Sequence, residues 1–129
     1  MTSVQFYDCP VVIPYYGGKF SLSRELVPML ASHERYFEVF AGGLSMFFRK
    51  PKAELSVIND IDNDIINLYT CVIKDYKKLI DTLYWLPKSR VLFDDSKSTV
   101  KSSKEIKIPD VQRAAEYFYC IRNGFNKIP

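Results

Sequence analysis

The strongest constraint on the fold is a pair of short apolar segments, each of which ends in a turn. Arg35 to Phe40 is rich in aromatic and β-branched residues and stops at Ala41-Gly42-Gly43. Leu55 to Ile58 is a second apolar segment, and it closes on Asn59-Asp60. Segments of this composition, bounded by turn residues, are typical of buried strands. The order strand, glycine turn, short helix, strand, acidic residue, helix predicts a βαβ unit of a parallel, nucleotide-binding sheet.

Four other segments have helical signals. The first is expected to be capped by Ser21 or Ser23, and the second by Asp62. The third spans Tyr76 to Leu86, and the last opens at Pro109. Apolar residues at helical spacing form the expected inward faces of the first, second and last helices: Leu22, Leu26, Met29 and Leu30; Ile65, Ile66, Tyr69, Val72 and Ile73; and Val111, Ala114, Ala115, Phe118 and Ile121.

The rest of the chain gives no further strand. Residues 94–108 are rich in Ser and Lys and lack the periodicity of a helix or a strand, so a mobile surface loop is predicted there. A parallel sheet normally has more than two strands and is covered on both faces. We therefore expect an incomplete sheet whose open edge causes marginal stability or oligomerisation unless a partner covers it.

Composition excludes several classes of protein. The chain has 129 residues, the size of one ordinary domain, and 47% of them are hydrophobic, which argues against disorder as the main state. Gly, Ser or a charge interrupts every apolar run well short of the roughly 18 residues of a membrane span. The first ten residues have no basic start and no long apolar stretch, so a secretory signal is not expected. These features predict a cytoplasmic protein without a membrane partner.

Few residues are suited to metal binding. Cys9, Cys71 and Cys120 are far apart and odd in number, and His33 is the single histidine. No CxxC pair occurs. We therefore expect neither a metal site nor disulfides, and small buried side chains are the default interpretation of the cysteines.

The charges are unevenly distributed. Residues 1–73 carry 6 Lys and Arg against 8 Asp and Glu, a net charge of −2. Residues 74–129 carry 12 against 7, a net charge of +5. A basic second half is compatible with a phosphate-rich partner such as nucleic acid, although most basic runs are simply solvated surface.

The glycine turn has a specific chemical use. Glycines at the carboxyl end of a strand lack Cβ atoms, so a ligand can approach the backbone closely. Asp60 follows Gly42 by 18 positions, close to the spacing at which an acidic residue accepts hydrogen bonds from ribose hydroxyls. The pattern is not GxGxxG, which argues against a dinucleotide. A plain glycine turn followed by an aspartate that caps a helix is the alternative interpretation.

Four sequence blocks occur in order between residues 13 and 126: IPYYGGK, FEVFAGGLS, VINDIDNDIINLY and YFYCIRNGFN. Together they resemble the amino-terminal half of the Dam-type DNA adenine-N6 methyltransferases, which use S-adenosylmethionine. The resemblance implies an α/β fold with an incomplete Rossmann-like parallel sheet, helices on both faces, and the start of a helical target-recognition region. The implied domains are a partial cofactor-binding core at 1–86, a basic Ser/Lys-rich loop at 87–109, and the truncated recognition region at 110–129.

The resemblance also implies the residues that bind ligands. Asp60 matches the residue that binds the ribose, and Ile61 would lie beside the adenine ring. The full implied cofactor set is Tyr15, Tyr16, Lys19, Phe40, Ala41, Gly42, Gly43, Ser45, Asp60 and Ile61. The implied DNA-reading set is Asn123, Gly124, Phe125 and Asn126. Each of these residues also has a purely structural interpretation as the alternative to ligand binding. Tyr15 and Tyr16 would be core tyrosines, Lys19 a solvated lysine, Asp60 a helix cap, and Asn123-Gly124 a simple turn.

The chemistry of this family depends on an Asp-Pro-Pro-Tyr tetrapeptide beyond the recognition segment, and the 129 residues contain neither it nor a near variant. The resemblance thus implies site-specific methylation of adenine in double-stranded DNA, as in restriction–modification systems, but no catalytic residue in this chain. Three interpretations remain open. The chain is a methyltransferase fragment that is inactive alone, a subunit of a split enzyme whose second chain supplies the tetrapeptide, or a non-catalytic nucleotide- or DNA-binding module.

Overall fold

A computed structural model describes residues 3–15, 17–102 and 105–124, and these form two compact units, Met1–Ile61 and Asp62–Pro129. The elements of the first unit are α1 (Phe20–Met29), β1 (Arg35–Glu38), α2 (Ser45–Arg49) and β2 (Leu55–Ile58). The elements of the second unit are α3 (Asn63–Lys74), α4 (Tyr76–Tyr84), α5 (Arg90–Lys101) and α6 (Val111–Asn123).

The predicted βαβ unit is confirmed. Strands β1 and β2 pair in parallel, from Arg35 opposite Leu55 to Glu38 opposite Ile58, and α2 lies between them in the sequence. In the described part of the chain the sheet has these two strands alone. The described residues thus form a mixed α/β structure with a small parallel sheet.

The expectation that both strands are buried is wrong. Phe37 on β1 and Val57 on β2 are paired in register and belong to one face of the sheet, where they are 61% and 40% exposed. Side chains alternate between the two faces of a strand, and Glu38 on the other face is buried. One face of this two-stranded sheet is therefore left open in the described residues, and it is the apolar one.

Helix α1 differs from the sequence prediction in its cap and its inward face. Lys19, and not Ser21 or Ser23, occupies the N-cap position, and its side chain makes no capping bond. Ser23 and Val27 are the buried residues of α1, whereas Leu22 is exposed. A buried arginine explains the difference.

Arg49, at the end of α2, holds α1 in place. Its side chain is 4% exposed, and its guanidinium donates to the Ser23 hydroxyl at 3.0 Å and to the Phe20 carbonyl at 3.1 Å. The same group lies 3.9 Å from the centre of the Phe20 ring. A buried guanidinium needs polar partners, so α1 turns its serine inward and leaves leucine outside.

In the second unit, the predicted cap of α3 at Asp62 is confirmed, and Asp110 caps α6 in the same way. The Asp62 carboxylate accepts a hydrogen bond from the Asp64 N–H at 2.9 Å, and that of Asp110 accepts from the Arg113 N–H at 3.0 Å. Asn67 joins the two helices, because its side-chain amide donates to the Asp110 carbonyl and accepts from the Asp110 N–H. Helices α3 and α4 pack against α6 within this unit.

The predicted mobile loop at 94–108 is wrong for its first half, because α5 continues to Lys101. Ser89 caps α5, with its hydroxyl accepting a hydrogen bond from the Leu92 N–H at 3.4 Å. From Asp94 to Lys101 the helix has one apolar side chain, Val100, and Ser96 is the single buried residue of α5. Packing on α6 and polar contacts near its carboxyl end stabilise it, and such tertiary support is invisible to a local pattern.

The cysteines are free thiols. Cys71 and Cys120 are buried, as expected, whereas Cys9 is half-buried. Burial raises the pKa of the Cys71 thiol, and it raises the pKa of Cys120 to about 11, so both stay protonated near neutral pH. Within the described ranges, no group of three His, Cys, Asp or Glu residues could hold a metal ion. Nor does any described helix have the length and apolar character needed to cross a membrane.

The second unit contains one buried ion pair. Arg113 on α6 binds both carboxylate oxygens of Asp64 on α3, with Nε–Oδ1 and Nη2–Oδ2 distances of 2.7 and 3.1 Å. The side chains are 9% and 11% exposed. Arg113 also donates to the carbonyls of Thr99 and Val100 near the end of α5. One guanidinium thus connects α3, α5 and α6.

Replacing Arg113 with methionine should destabilise the second unit by about 3 kcal/mol, because the Asp64 carboxylate would remain buried without its partner. Urea unfolding followed by circular dichroism measures this loss. The double variant Asp64→Leu/Arg113→Met should lose less than the single variant, because no unpaired charge is left. Arg90→Met, which breaks the exposed Arg90–Asp94 pair, is the control and should leave the midpoint unchanged. Equal losses in the single and double variants would contradict this account.

Candidate functional site

The cofactor residues expected from the sequence lie around one cavity of about 260 Å³ in the first unit. Nine of the ten expected residues line it: Tyr15, Lys19, Phe40, Ala41, Gly42, Gly43, Ser45, Asp60 and Ile61. The tenth, Tyr16, is outside the described residues. Segments from the start of the unit, the end of β1 and the end of β2 are thereby brought together.

The glycine turn after β1 has the conformation that its sequence requires. Gly42 has a φ of +48°, in the left-handed region that favours glycine. A Cβ atom at Gly42 would lie 3.2 Å from Cδ1 and 3.3 Å from Cε1 of the Tyr15 ring. The missing side chain therefore makes room for the tyrosine, which covers the turn. Leu44, next in the chain, also has a positive φ, and α2 begins immediately after it.

Hydrogen bonds connect this turn to the end of β2. The Gly42 N–H donates to Oδ2 of Asp60 at 3.1 Å. The Ala41 N–H donates to the Asn59 carbonyl, and the Asn59 N–H donates to the Glu38 carbonyl, both at 2.8 Å. The parallel pairing thus continues past both strands, and Asp60 is held at the glycine turn. Asp62, and not Asp60, caps α3, so the helix-cap alternative for Asp60 is wrong.

Two apolar side chains of the cavity are strongly exposed. Phe40 and Ile61 follow the ends of β1 and β2, and they are 78% and 98% exposed. An apolar side chain that is almost wholly in water has surface available for a flat, apolar ligand group.

Glu38 is a cavity residue that the sequence prediction missed. It ends β1, is 8% exposed, and accepts a hydrogen bond from the Tyr36 hydroxyl at 3.0 Å. Burial raises the pKa of the Glu38 carboxyl, while the Tyr36 hydrogen bond and the charges of Lys19 and Lys50 partly lower it. Tyr36 and Lys50 are also shifted by their own burial, which raises the pKa of Tyr36 and lowers the pKa of Lys50. The sequence signal that could have revealed Glu38 is an acidic residue inside an otherwise apolar strand.

The direction of the Glu38 shift has a consequence for stability. A carboxyl whose pKa is raised on folding favours the protonated form. The stabilising contribution of Glu38 is present below the pKa that its carboxyl has in the unfolded chain. It is lost as the pH rises through the pKa of the same carboxyl in the folded chain. The Glu38 carboxylate thus opposes folding at neutral pH in the ligand-free chain.

The expected DNA-reading residues are partly described. Asn123 ends α6, and its side-chain amide donates to the Tyr119 carbonyl at 2.8 Å. Gly124 is the C-cap residue, and its N–H donates to the Cys120 carbonyl at 2.7 Å. Phe125 and Asn126 lie outside the described residues. Both described members therefore have a structural role at the end of the helix, and their DNA-reading role stays a prediction.

The chain belongs to a known family of DNA-modifying enzymes. Residues 15–128 match the family model of the D12 class N6 adenine-specific DNA methyltransferases. This match covers most of the chain and confirms the resemblance indicated by the four sequence blocks. The family uses S-adenosylmethionine.

Two relatives show how much of a whole enzyme is present. The type II methyltransferase M1.LlaDCHI of Lactococcus lactis subsp. cremoris is 31% identical over 117 residues, which are 85% of this chain and 39% of that protein. The DNA N-6-adenine-methyltransferase of Escherichia phage P1 is 24% identical over 115 residues, which are 89% of this chain and 15% of that protein. The chain thus spans well under half the length of both relatives.

The contact between Gly42 and Tyr15 can be tested by adding one methyl group. Gly42→Ala and Gly17→Ala each place alanine at a positive φ and should each lose about 1 kcal/mol of unfolding free energy. Gly17 has no atom within 4 Å of an added Cβ, so only Gly42→Ala should lose more than this, by pushing the Tyr15 ring. Urea unfolding measures both losses. In a Tyr15→Ala background the two glycine variants should become equal, and a persisting difference would contradict the proposed contact.

Proposed function

We propose that this chain forms the S-adenosylmethionine-binding part of an N6-adenine DNA methyltransferase. One observation carries the proposal: the nine described residues expected to bind the cofactor line a single cavity, with Asp60 joined to Gly42.

The chain's own groups fit the parts of the cofactor. The Gly42 N–H holds the Asp60 carboxylate at the glycine turn, and a carboxylate at the end of the second strand is suited to accept hydrogen bonds from ribose hydroxyls. The exposed side chains of Ile61 and Phe40 offer apolar surface for the adenine ring. The backbone of Gly42 and Gly43 allows the ligand to approach closely. When bound, the cofactor supplies an electrophilic methyl group on a sulfonium.

Glu38 supports a cationic ligand at this cavity. S-adenosylmethionine carries a sulfonium and an ammonium group, and Glu38 is a buried carboxylate that lines the same cavity. A nearby positive charge favours the ionised form of a carboxylate. Binding would therefore offset the unfavourable burial that raises the pKa of Glu38 in the ligand-free chain.

The test is a thermal melt of the chain with and without S-adenosylhomocysteine, the demethylated product. A ligand that binds only the folded state at one hundred times its Kd adds about 2.7 kcal/mol of stability, so the melting temperature should rise. Asp60→Asn should fold, because an amide oxygen can still accept from Gly42, yet its NH₂ cannot accept from the ribose. The ligand-induced shift should therefore shrink or vanish in this variant.

Glu54→Gln is the matched control for the melt. It makes the same change from carboxylate to amide at an exposed position of the same unit, away from the cavity. The control should keep the full ligand-induced shift. A folded wild-type chain whose melting temperature does not respond to the ligand, or an equal loss in Asp60→Asn and Glu54→Gln, would refute the proposed cofactor site.

We further propose that the catalytic half is supplied by polypeptide beyond these residues. Asp-Pro-Pro-Tyr does not occur in the sequence, and the apolar face formed by Phe37, Leu55 and Val57 is exposed. Parallel sheets are normally covered on both faces by helices, so this face suits helices from polypeptide that would also add strands at the edge of the sheet. A fragment of a longer methyltransferase is the favoured origin. A split enzyme with a second chain is the alternative, and a non-catalytic binding module is the third.

The 129 residues alone should not methylate adenine. Purified chain, S-adenosylmethionine and double-stranded DNA are incubated, and N6-methyladenine is measured by mass spectrometry of the digested DNA. The methyltransferase of phage P1 in the same buffer is the positive control. No N6-methyladenine above the background of DNA without enzyme is expected, and a signal that grows with chain concentration would overturn the proposal.

The family supports a proposal for the substrate and for the place of action. The substrate is proposed to be double-stranded DNA, and the place of action the cytoplasm of a bacterial or phage-infected cell. A role in restriction–modification is supported by the similarity to the Lactococcus relative, a type II methyltransferase.

A further inference from the structure

The second unit contains a basic cavity that the cofactor site does not use. It has a volume of about 580 Å³ and lies where α5 begins and α6 ends. The residues that matter here are Lys88, Ser89 and Arg90 before and at the start of α5, Lys97 two turns later, and Tyr119 and Asn123 on α6.

The lining of this cavity has one sign of charge. Among the described residues, its charged side chains are Lys88, Arg90 and Lys97, and none of those that line it is acidic. Arg90 forms an ion pair with Asp94 at 3.4 Å, but the two side chains are 88% and 59% exposed. Exposed pairs of this kind contribute little, so an anionic ligand can compete with Asp94 for Arg90.

A general excess of lysine does not explain the arrangement. A second cavity of about 540 Å³ in the same unit is lined by Glu105, Asp110 and Glu116 together with Arg113. The net charge of Asp62–Pro129 is only +3, from 12 Lys and Arg against 9 Asp and Glu. The cations of the basic cavity are therefore concentrated at one place on a unit of mixed charge.

Tyr119 fixes the backbone of this cavity. Its side chain is buried, and its hydroxyl donates to the Pro87 carbonyl at 2.8 Å and accepts from the Ser89 N–H at 3.0 Å. The segment that carries Lys88 is thus attached to α6 before any ligand arrives. Such preorganisation reduces the entropy lost on binding.

Aromatic side chains precede the basic segment. Tyr84 and Trp85 form an edge-to-face pair with ring centres 5.0 Å apart, and Trp85 is 82% exposed. Basic side chains interleaved with exposed aromatic ones are typical of nucleic-acid surfaces. Trp85 is also the single tryptophan of the chain, so its fluorescence reports on this segment alone.

We propose that the cavity formed by Lys88, Arg90 and Lys97 binds a backbone phosphate of the DNA substrate. The inference rests on the proposed function for the identity of the partner, and it adds a contact that positions the duplex without reading its sequence. The phosphodiester would lie between the three cations, with the Asn123 amide as a neutral donor.

The test compares two charge-matched variants in binding a fluorescein-labelled DNA duplex, measured by anisotropy from 50 to 200 mM KCl. Lys88→Gln/Lys97→Gln removes two cations of the cavity. Lys77→Gln/Lys78→Gln removes two exposed cations of α4 that do not line it. Loss of this one phosphate contact should weaken binding about tenfold at 0.1 M salt. It should also lower the slope of log K against log salt concentration by about 1. Only the cavity variant should show this loss, and Lys88→Arg/Lys97→Arg should restore binding.

Several outcomes would overturn the inference. These are a wild-type chain that does not bind the duplex, an equal loss in the two charge-matched variants, and tighter binding of double-stranded RNA that the cavity variant abolishes. Displacement of DNA by inorganic phosphate far beyond that caused by KCl of equal ionic strength would show that the cavity takes the free ion instead. Quenching of Trp85 fluorescence by the duplex is expected for the wild type and for the α4 control.

The result is separable from that for the cofactor site. The cavity variant should keep its melting temperature and its response to S-adenosylhomocysteine, because the changed side chains belong to the second unit. Loss of DNA binding with an intact ligand response supports the phosphate site. Loss of the ligand response in Asp60→Asn, with DNA binding unchanged, concerns the cofactor proposal only.

Discussion

The hydrogen bond from the Gly42 N–H to the Asp60 carboxylate is the interaction on which the rest of the first unit depends. It joins the turn after β1 to the end of β2, in continuation of the parallel pairing. Gly42 has a positive φ in this turn, and its absent side chain leaves the place that the Tyr15 ring occupies. Backbone pairing, turn geometry and aromatic cover are therefore one arrangement, because a change in any of them displaces the others.

The features that could be predicted are those with a local cause. The two strands follow from short apolar segments bounded by turn residues, and the cap at Asp62 follows from a side chain that reaches an N–H two positions away. The position of the cavity was also predictable. The carboxyl ends of neighbouring parallel strands meet at one edge of a sheet, so Gly42 and Asp60 must come close whatever surrounds them.

The features that could not be predicted depend on distant partners. Arg113 and Asp64 are 49 positions apart, and nothing near either residue reveals the pair. The same holds for Arg49, which turns Ser23 inward across 26 positions. The sequence predicts a loop where α5 continues to Lys101, because that part of the helix is stabilised by packing against α6 and has almost no apolar residues of its own. Glu38 could be predicted in part. Its position on β1 follows from the sequence, but its burial depends on the packing around it.

The open sheet face and the buried Glu38 carboxylate are two costs that the first unit bears, and the Tyr36 hydroxyl, Lys19 and Lys50 offset the second cost only in part. Both are costs of a kind that a binding partner removes: helices packed on the open face would cover Phe37 and Val57, and a cationic ligand would favour the ionised form of Glu38. The unit carries 6 Lys and Arg against 6 Asp and Glu, so it has no net charge with which to attract a polyanion. The two proposals therefore place the attraction of DNA in the second unit, where the basic cavity concentrates three cations. Cofactor binding and the attraction of DNA would then belong to different units of this chain.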